Sequence, residues 1–434
     1  MVKQTIPLFS QVKLTTKNKN YEGTLLPDEG DSKVLKLSSG YTLSFKDENI
    51  QNLTLISKSK KSKSSSKQPS SFNKDSLVII HTGGTISSKV DYKTGAVIAS
   101  FDPDTLINLF PKLKEISKIE SHFIGNIMSD NFRFHHFNQI AQAIHKRALK
   151  GQTKFIVTSG TDFLHYLSTS LAFLLKDLPI STIVVGSQRS SDRPSTDAED
   201  NLTNAAYFLE NKFIPGVFVC MHSTSSDGTC DILHGVNIRK MHSSRRDAFK
   251  QINEDKVAEV NYGAKSITML KEYSFFIQKE IPKTLPLFKE SLKIGLIYSH
   301  PHFYAKELDA YKKFDGLVLA GSGFGHFPVI ASDKESKEHN KILKSIQILA
   351  KTMPIIMSTQ TIHGAVNLTV YSPLRMIEDA GVVGHNSTMI TETAFIKLAY
   401  LLSTAKKEDI KQLLLTNIVG ELNPEKYFSF EENE

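Results

Sequence analysis

Seven nearly uninterrupted apolar runs after residue 76 restrict the possible folds of this chain more than any other feature. They are LVII (77–80), KFIVT (154–158), TIVV (182–185), VFVC (217–220), KIGLIY (293–298), GLVLA (316–320) and PIIM (354–357). Between most of them lie segments with helical periodicity, such as FLHYLSTSLAFLLKD. Strands that are apolar on both faces and alternate with helices are typical of parallel sheets covered by helices on both sides. The sequence therefore predicts an α/β protein.

The first 75 residues have a different pattern. Short β-rich runs (VKLTT, YEGTLL, KVLKLSSGYTLSFK and IQNLTLIS) are separated by turn residues, which predicts a small antiparallel β-barrel over residues 1–56. Residues 57–75 then form a Lys/Ser-rich segment that can bury little apolar surface. We interpret this segment as a linker between the barrel and the α/β body.

Composition excludes several classes of protein. The net charge of +8 suggests nucleic-acid binding at first, but five of the positive charges are lysines of the linker (Lys58, Lys60, Lys61, Lys63 and Lys67). No apolar run approaches the length of a membrane span, and MVKQTIPLFSQVK lacks the apolar region of a signal peptide. Two cysteines are too few for a disulfide framework. We expect a cytoplasmic protein.

Five of the predicted strands end in short segments rich in glycine and hydroxyl groups. These segments are HTGGTIS, SGTD, GSQRSSDRPSTD, GSGFGH and STQTIHG. Ligands of open parallel sheets bind outside the carboxyl ends of the strands, so we expect the five segments to converge on one edge. Gly83 and Gly84 would let the backbone approach a ligand closely and direct N–H groups at an oxyanion.

The motifs leave threonine as the candidate for the catalytic residue. The first loop has no GK[ST] and no GxGxxG, the chain has no GxSxG, and GSGFG is more simply a tight turn than a dinucleotide loop. The candidates that remain are Thr85, and Thr161 beside Asp162. A threonine hydroxyl needs a partner to take its proton, and a lysine held near a carboxylate can serve. Alone, however, SGTD is better explained by Asp162 capping the helix that follows.

Four ordered blocks add a resemblance to a known family. TGGTIS, SGTD, GSQRSSDRPSTDAEDNL and TQTIHGAVNLTVYS resemble the type II L-asparaginase/glutaminase family, and more closely its branch that forms the D subunits of archaeal-type glutamyl-tRNA(Gln) amidotransferases. The likeness runs from about residue 7 to the end. Free asparaginases lack the N-terminal barrel, whereas the D subunits carry one, so the barrel favours the second group.

The resemblance implies an architecture and a set of partners. Residues 76–285 would form an asparaginase-like α/β domain with the active site, and residues 286–434 a smaller C-terminal α/β domain. The chain would hydrolyse glutamine without a cofactor of its own. Its ammonia would pass to the E subunit of the amidotransferase, which uses ATP and Mg²⁺ to convert glutamyl-tRNA(Gln) and makes most of the contacts with the tRNA. Two copies of each subunit would form a D2E2 heterotetramer.

The resemblance also implies roles for individual residues. Thr85 would be the nucleophile, activated by Thr161, Asp162 and Lys240. The resemblance implies that Ser129, Asp130 and Tyr92 bind the substrate. It also implies that Gly84 and Gly160 steady the oxyanion. The family usually has His-Gly-Thr-Asp followed by threonine, where this chain has Ser159 and Phe163. These two departures leave the preference for glutamine or asparagine open.

Other interpretations remain at this point. The chain could be a free asparaginase, or the barrel and linker could dock RNA while the α/β body serves as a scaffold. Cys220, His222, Cys230 and His234 could form a zinc set, but their spacing is unusual for one and we expect no metal. SRRD (244–247) could bind RNA phosphate or form a structural Arg–Asp pair.

Overall fold

A computed structural model describes residues 6–37, 42–57, 73–84, 86, 88–90, 97–99, 110–191, 195–272 and 280–426. The greater part of the predicted linker, residues 58–72, lies outside these ranges. No helix among the described residues is long and apolar enough to cross a membrane.

The N-terminal segment forms a five-stranded antiparallel sheet with the strand order β4-β3-β2-β1-β5. Its strands are β1 (Gln11–Thr16), β2 (Asn20–Glu29), β3 (Ser32–Leu37), β4 (Thr42–Lys46) and β5 (Ile50–Ser57), with a 3-10 turn at Asp47–Asn49. Val12, Leu14, Leu25 and Leu35 form its small apolar core. The predicted antiparallel β structure is confirmed.

An eight-stranded sheet forms the centre of the molecule. In chain order its strands are β6 (Leu77–His81), β9 (Ile119–Phe123), β10 (Lys154–Thr158), β11 (Ser181–Val185), β12 (Gly216–His222), β13 (Thr229–His234), β16 (Ala258–Asn261) and β17 (Ser266–Met269). Two separate ribbons consist of β7 (Ser88–Val90) with β8 (Val97–Ala99), and β14 (Ile238–Lys240) with β15 (Phe249–Gln251).

The strand order of the central sheet is β17-β16-β13-β12-β11-β10-β6-β9. The five strands from β12 to β9 are parallel, and all of them except β9 were predicted from their apolar runs. The other three are antiparallel, so the sheet is mixed. Residues of the outer strands β16 and β17 alternate in exposure, unlike the fully buried β6 and β11, and they lack the continuous apolar runs on which the prediction rested.

Helices cover both faces of the sheet. The helices of this half are α1 (Lys112–Ile116), α2 (Phe134–Ala148), α3 (Leu164–Leu174) and α4 (Ala198–Asn211). Successive residues of a strand face opposite sides, so Val78 and Ile80 join a core with α2 and α3 while Leu77 and Ile79 join another with α1 and α4. Strand β6, which is buried on both faces, leads directly into HTGGTIS.

The C-terminal half has its own parallel sheet, ordered β18-β19-β20. Its elements are β18 (Ile294–Tyr298), β19 (Gly316–Gly321), β20 (Ile355–Thr359), α5 (His339–Thr352), α6 (Ser372–Asp379), α7 (Thr391–Thr404) and α8 (Ile410–Leu414). Three further 3-10 turns span Ser129–Asn131, Ala305–Tyr311 and Pro424–Lys426. The expectation that five strand tips share one edge is therefore wrong. Only three lie on the central sheet, because β18, β19 and β20 pair with each other.

Two buried asparagines join the halves. Asn237 has a φ of +52°. Its side-chain oxygen accepts a hydrogen bond from the backbone N–H of Ile390 at 3.3 Å, and its backbone N–H donates to Thr393 Oγ1 at 3.1 Å. Asn253 donates to the carbonyl oxygen of Thr388 at 2.8 Å. Because side-chain amides satisfy buried backbone groups here, the interface depends on groups distant in sequence.

The N-terminal sheet shares a core with the central body. Leu26 and Val34 are buried in the same apolar cluster as Leu77 and Phe110. Lys36 Nζ lies 5.5 Å from the centre of the Phe110 ring. The sheet therefore packs against the body rather than only being tethered to it.

We predict that a chain beginning at Asn73 folds but is less stable than the full chain. The backbone of Asn73 already bonds to the body, donating to Glu120 Oε1 at 3.4 Å and accepting from Gln152 Nε2 at 3.3 Å. Loss of Leu26 and Val34 uncovers Phe110, and burial of each such side chain is worth about 1.5 kcal/mol. Urea unfolding should show a lower midpoint. A full-length chain with Leu26→Ala and Val34→Ala is the control and should show part of the loss. An insoluble truncated chain would show that the boundary near residue 73 is wrong.

Candidate active site

The double glycine after β6 allows three loops to meet at backbone contact. Gly83 and Gly84 have φ values of +107° and +82°, which side chains rarely adopt. A Cβ atom on Gly84 would lie 2.2 Å from the backbone nitrogen of Gly160, and one on Gly83 would lie 2.5 Å from that of Ile127. The loop after β6 thus passes between the loops that follow β10 and β9.

Lys240 connects two of the predicted catalytic residues. Its ammonium group donates hydrogen bonds to Thr161 Oγ1 at 2.9 Å and to Asp162 Oδ1 at 2.8 Å. The Lys240 side chain is 11% exposed, whereas that of Asp162 is 69% exposed. Lys240 ends strand β14, where it pairs with Phe249 of β15, so a ribbon outside the main sheet holds the lysine beside the loop after β10.

Gln188 is a neighbour of Thr161 that the sequence analysis did not identify. Its Oε1 lies 3.5 Å from Thr161 Oγ1, which can donate to it. The buried carboxylate of Asp197 accepts the backbone N–H groups of Gln188 and Arg189 at 3.0 and 3.1 Å, and the Ser187 hydroxyl at 2.9 Å. The only signal in the sequence was the position of Gln188 just after a buried strand.

The predicted substrate-binding loop lies against the same residues. Ser129 is buried, and its Oγ accepts the backbone N–H of Phe163 at 3.3 Å. A Cβ atom on Gly160 would lie 2.9 Å from Ser129 Oγ, which shows how closely the two loops approach. Asp130 follows in the same 3-10 turn and is exposed. Gly160 therefore approaches both Gly84 and Ser129 closely.

Thr85 and Tyr92 lie outside the described residues, and the roles proposed for them stay predictions. The neighbour of Thr85, Gly84, contacts Gly160, which directly precedes Thr161. Ser159, which stands where the family has histidine, is buried and donates to the carbonyl oxygen of Gly160 at 3.0 Å.

A buried histidine, His165, lies near Lys240. Burial, helped by the nearby charges of Arg239 and Lys240, lowers the pKa of His165 to about 3. His165 Nδ1 is buried and has no hydrogen-bond partner in the described part of the chain. The ring is therefore neutral at ordinary pH and adds no positive charge beside Lys240.

Other candidate groups from the sequence take ordinary structural roles or disperse. Cys220 and Cys230 are free, fully buried thiols, Cys230 Sγ lies 3.9 Å from His222 Nδ1, and His234 Nδ1 lies 3.1 Å from Glu254. In the described part of the chain the four considered ligands do not converge on one point. Arg245 forms a two-point ion pair with Asp247 at 2.9 and 2.7 Å, which favours the structural interpretation of SRRD. Ser322 and His326 form a bridge across GSGFG, which makes it a tight turn.

The arrangement is suited to activating a hydroxyl group. A charged Lys240 stabilises negative charge on Thr161 Oγ1, and a neutral Lys240 can accept its proton. Asp162 balances the charge of the lysine from the solvent side. Tightly packed backbone at Gly84 and Gly160 offers a rigid frame in which N–H groups can steady an oxyanion.

Comparison with family models covers most of the chain. Residues 76–273 match the model "Asparaginase, N-terminal", and residues 293–414 match "Glutaminase/Asparaginase C-terminal domain". The boundary between the two matches falls between β17 and β18, where the central sheet ends and the C-terminal sheet begins.

Curated relatives match almost the whole chain. The D subunit of glutamyl-tRNA(Gln) amidotransferase from Methanococcus maripaludis is 36% identical, over 95% of this chain and 97% of its own. The protein of that name from Saccharolobus solfataricus is 34% identical, over 93% of this chain and 89% of its own. Among solved structures, the thermostable L-asparaginase of Thermococcus kodakarensis has a TM-score of 0.67 and 28% identity, and covers 80% of this chain and 99% of its own.

We predict that His165 makes the protein less stable in mild acid. Its pKa lies below the ordinary value of 6.5, so below pH 6.5 the unfolded chain takes up a proton that the folded chain does not. Its contribution to stability is complete above pH 6.5 and falls as the pH drops toward 3, by about 2 kcal/mol at pH 5. In His165→Leu, urea unfolding should show a smaller loss between pH 7 and pH 5. The exposed His363→Leu serves as control. Equal losses in both variants would show that His165 takes up a proton in the folded protein.

Proposed function

The chain belongs to the asparaginase/glutaminase family, in the branch of the glutamyl-tRNA(Gln) amidotransferase D subunits, and on that premise we propose that it releases ammonia from glutamine for a partner protein. The observation that carries the proposal is the position of Lys240 Nζ between Thr161 Oγ1 and Asp162 Oδ1. A scaffold protein has no need for a mostly buried ammonium beside a buried hydroxyl.

The proposed reaction has two steps at a threonine. Thr85 Oγ attacks the side-chain amide carbon of glutamine, the C–N bond breaks, and the nitrogen leaves as ammonia after taking up a proton. Water then attacks the acyl ester, which releases glutamate and restores the Thr85 hydroxyl. N–H groups in the loops of Gly84 and Gly160 steady the oxyanion of each step.

The remaining site residues manage protons and position the substrate. Thr161 and Lys240 form the relay that takes the proton from the nucleophile and returns it to the leaving nitrogen. Ser129 and Asp130 bind the amino and carboxylate groups of glutamine, and Tyr92 helps to move the proton of Thr85. Ser129 lies against the Gly160 loop, which supports its place in the site.

The N-terminal sheet favours a component of an amidotransferase over a free asparaginase. The solved asparaginase is matched over nearly its entire length and still leaves a fifth of this chain uncovered, whereas the D-subunit relatives extend over 95% and 93% of it. The additional sheet shares a core with the body through Leu26 and Val34, so it is an integral part of the molecule.

The partners follow from the same relationship. We propose that the E subunit of the amidotransferase receives the ammonia, binds glutamyl-tRNA(Gln) and consumes ATP with Mg²⁺, while this chain needs no cofactor for its own hydrolysis. Two copies of each subunit would form the complex. The N-terminal sheet, which free asparaginases lack, is the part of this chain that we propose to support the assembly, in the cytoplasm.

We predict that the full-length chain releases ammonia from glutamine and that Thr85→Ala abolishes the release without unfolding the chain. Ammonia should be measured with glutamine and with asparagine, each with and without the E subunit and charged tRNA. A preference for asparagine that persists with the partner present would favour the free asparaginase. Unchanged ammonia release by folded Thr85→Ala would exclude Thr85 as the nucleophile.

We predict that Lys240→Met lowers kcat by at least about 100-fold and leaves KM within a few-fold, because Lys240 contacts the relay hydroxyl and not the substrate. The matched control is Lys176→Met, which removes a surface Lys–Asp pair with the same 2.8 Å separation and should change neither constant. A pure rise in KM would instead make Lys240 a binding residue.

A further inference from the structure

Three side chains outside the active site converge at one end of β12. His222 is the last residue of β12, Asp200 lies in the first turn of α4, and Asp227 lies in the connection from β12 to β13. One possible metal-ligating atom from each lies within 4.8 Å of the others, the only such group of three found among the described residues. His222 is 1% exposed, and its side chain is completely buried.

Hydrogen bonds fix the orientation of the His222 ring. The side-chain nitrogen of Asn201 donates to the carbonyl oxygen of Gly186 at 3.0 Å and to Asp197 Oδ2 at 3.2 Å. Asn201 Oδ1 is therefore the atom that lies 2.6 Å from His222 Nδ1. An amide oxygen can only accept, so His222 Nδ1 carries a hydrogen. In the neutral ring the lone pair is then on Nε2.

The Nε2 atom of His222 lies on the side of the ring next to Asp200. It is buried without a hydrogen-bond partner among the residues described, and Asp200 Oδ2 lies 3.6 Å away, too far for a hydrogen bond. Asp200 Oδ2 is itself held by the backbone N–H of Gly228 at 2.8 Å. Two ligand atoms bound tetrahedrally to Zn²⁺ are separated by about 3.4 Å, which is close to the distance found.

We propose that His222 Nε2, Asp200 and Asp227 bind a divalent transition-metal cation of the Zn²⁺ class, with water as a further ligand. One nitrogen and two carboxylate ligands suit this class of ion. Asp227 is exposed, and one of its oxygens pairs with Arg246. It lies in the loop that connects β12 and β13, where its side chain can move toward the ion. Asn201 accepts the hydrogen bond from the other ring nitrogen, as a second group usually does for a metal-binding histidine.

The cation would stabilise the active site indirectly. From His222, hydrogen bonds continue through Asn201 to Asp197, and from Asp197 to the backbone of Gln188, whose side chain lies beside Thr161. The ion would therefore hold α4 and the end of β12 in position without touching the reacting atoms. Its role is structural, and it does not depend on the proposed glutamine hydrolysis.

The competing arrangement is a protonated histidine with no cation. Although burial opposes the charge, Asp200 and the neighbouring groups raise the pKa of His222 to about 10. A cation must displace this proton to bind, so affinity measured at neutral pH distinguishes the two arrangements.

The test is a titration of the full-length, tag-free chain with Zn²⁺ after removal of metals by a chelator. Calorimetry at pH 7 should show one tight site per chain, and Co²⁺ in place of Zn²⁺ should give the visible absorption of a low-symmetry bound ion. Asp227→Asn should weaken Zn²⁺ binding at least tenfold, and because Asp227 is exposed this variant should fold. Asp309→Asn, in the exposed Lys312–Asp309 pair, should leave binding unchanged.

A second variant and a second readout guard against surface binding. Asp200→Asn should lose the same site, and Zn²⁺ should raise the melting temperature of the wild-type chain but of neither variant. Absence of a tight site in the wild-type chain, or equal affinity in the wild-type chain and both variants, would overturn the proposal and leave His222 as a buried cation paired with Asp200.

Discussion

Backbone contact between Gly84 and Gly160 determines how the rest of the site is arranged. Because neither residue has a side chain, the loops after two adjacent parallel strands can touch, and Thr161 follows at once. A larger residue at Gly84 would push against the backbone of Gly160, and one at Gly160 would push against Ser129. Lys240 would then face a displaced hydroxyl, since the ribbon that carries it is anchored independently of β6 and β10.

Much of the fold could be predicted because burial on two faces leaves a clear mark in a sequence. Strands such as β6 and β11 are wholly buried and read as unbroken apolar runs. The outer strands β16 and β17 expose alternate residues, so neither their presence nor their antiparallel direction was evident. The division of the strand tips between two sheets was also missed, because a sequence pattern does not show which strands pair.

The candidate site was predictable where residues are adjacent and unpredictable where they meet through space. Thr161 and Asp162 stand together in SGTD, while Lys240 is 79 residues beyond Thr161 and was identified only through the family resemblance. Gln188 and the trio around His222 left no local pattern, since their meaning depends on hydrogen bonds across the sheet. The cysteines near His222 gave a misleading signal, because both are buried as apolar side chains.

The two interface asparagines have a consequence for the order of events during synthesis. Asn237 and Asn253 lie in the half that leaves the ribosome first, yet their partners Ile390 and Thr388 are translated more than 130 residues later. Until the second half is made, the amides of both asparagines have only water to bond, and the surface that α7 covers stays exposed. The first half can form its parallel sheet early, but its native surface is complete only after nearly the entire chain has emerged. A nascent chain of this protein therefore offers chaperones an incomplete interface while the C-terminal half is being translated.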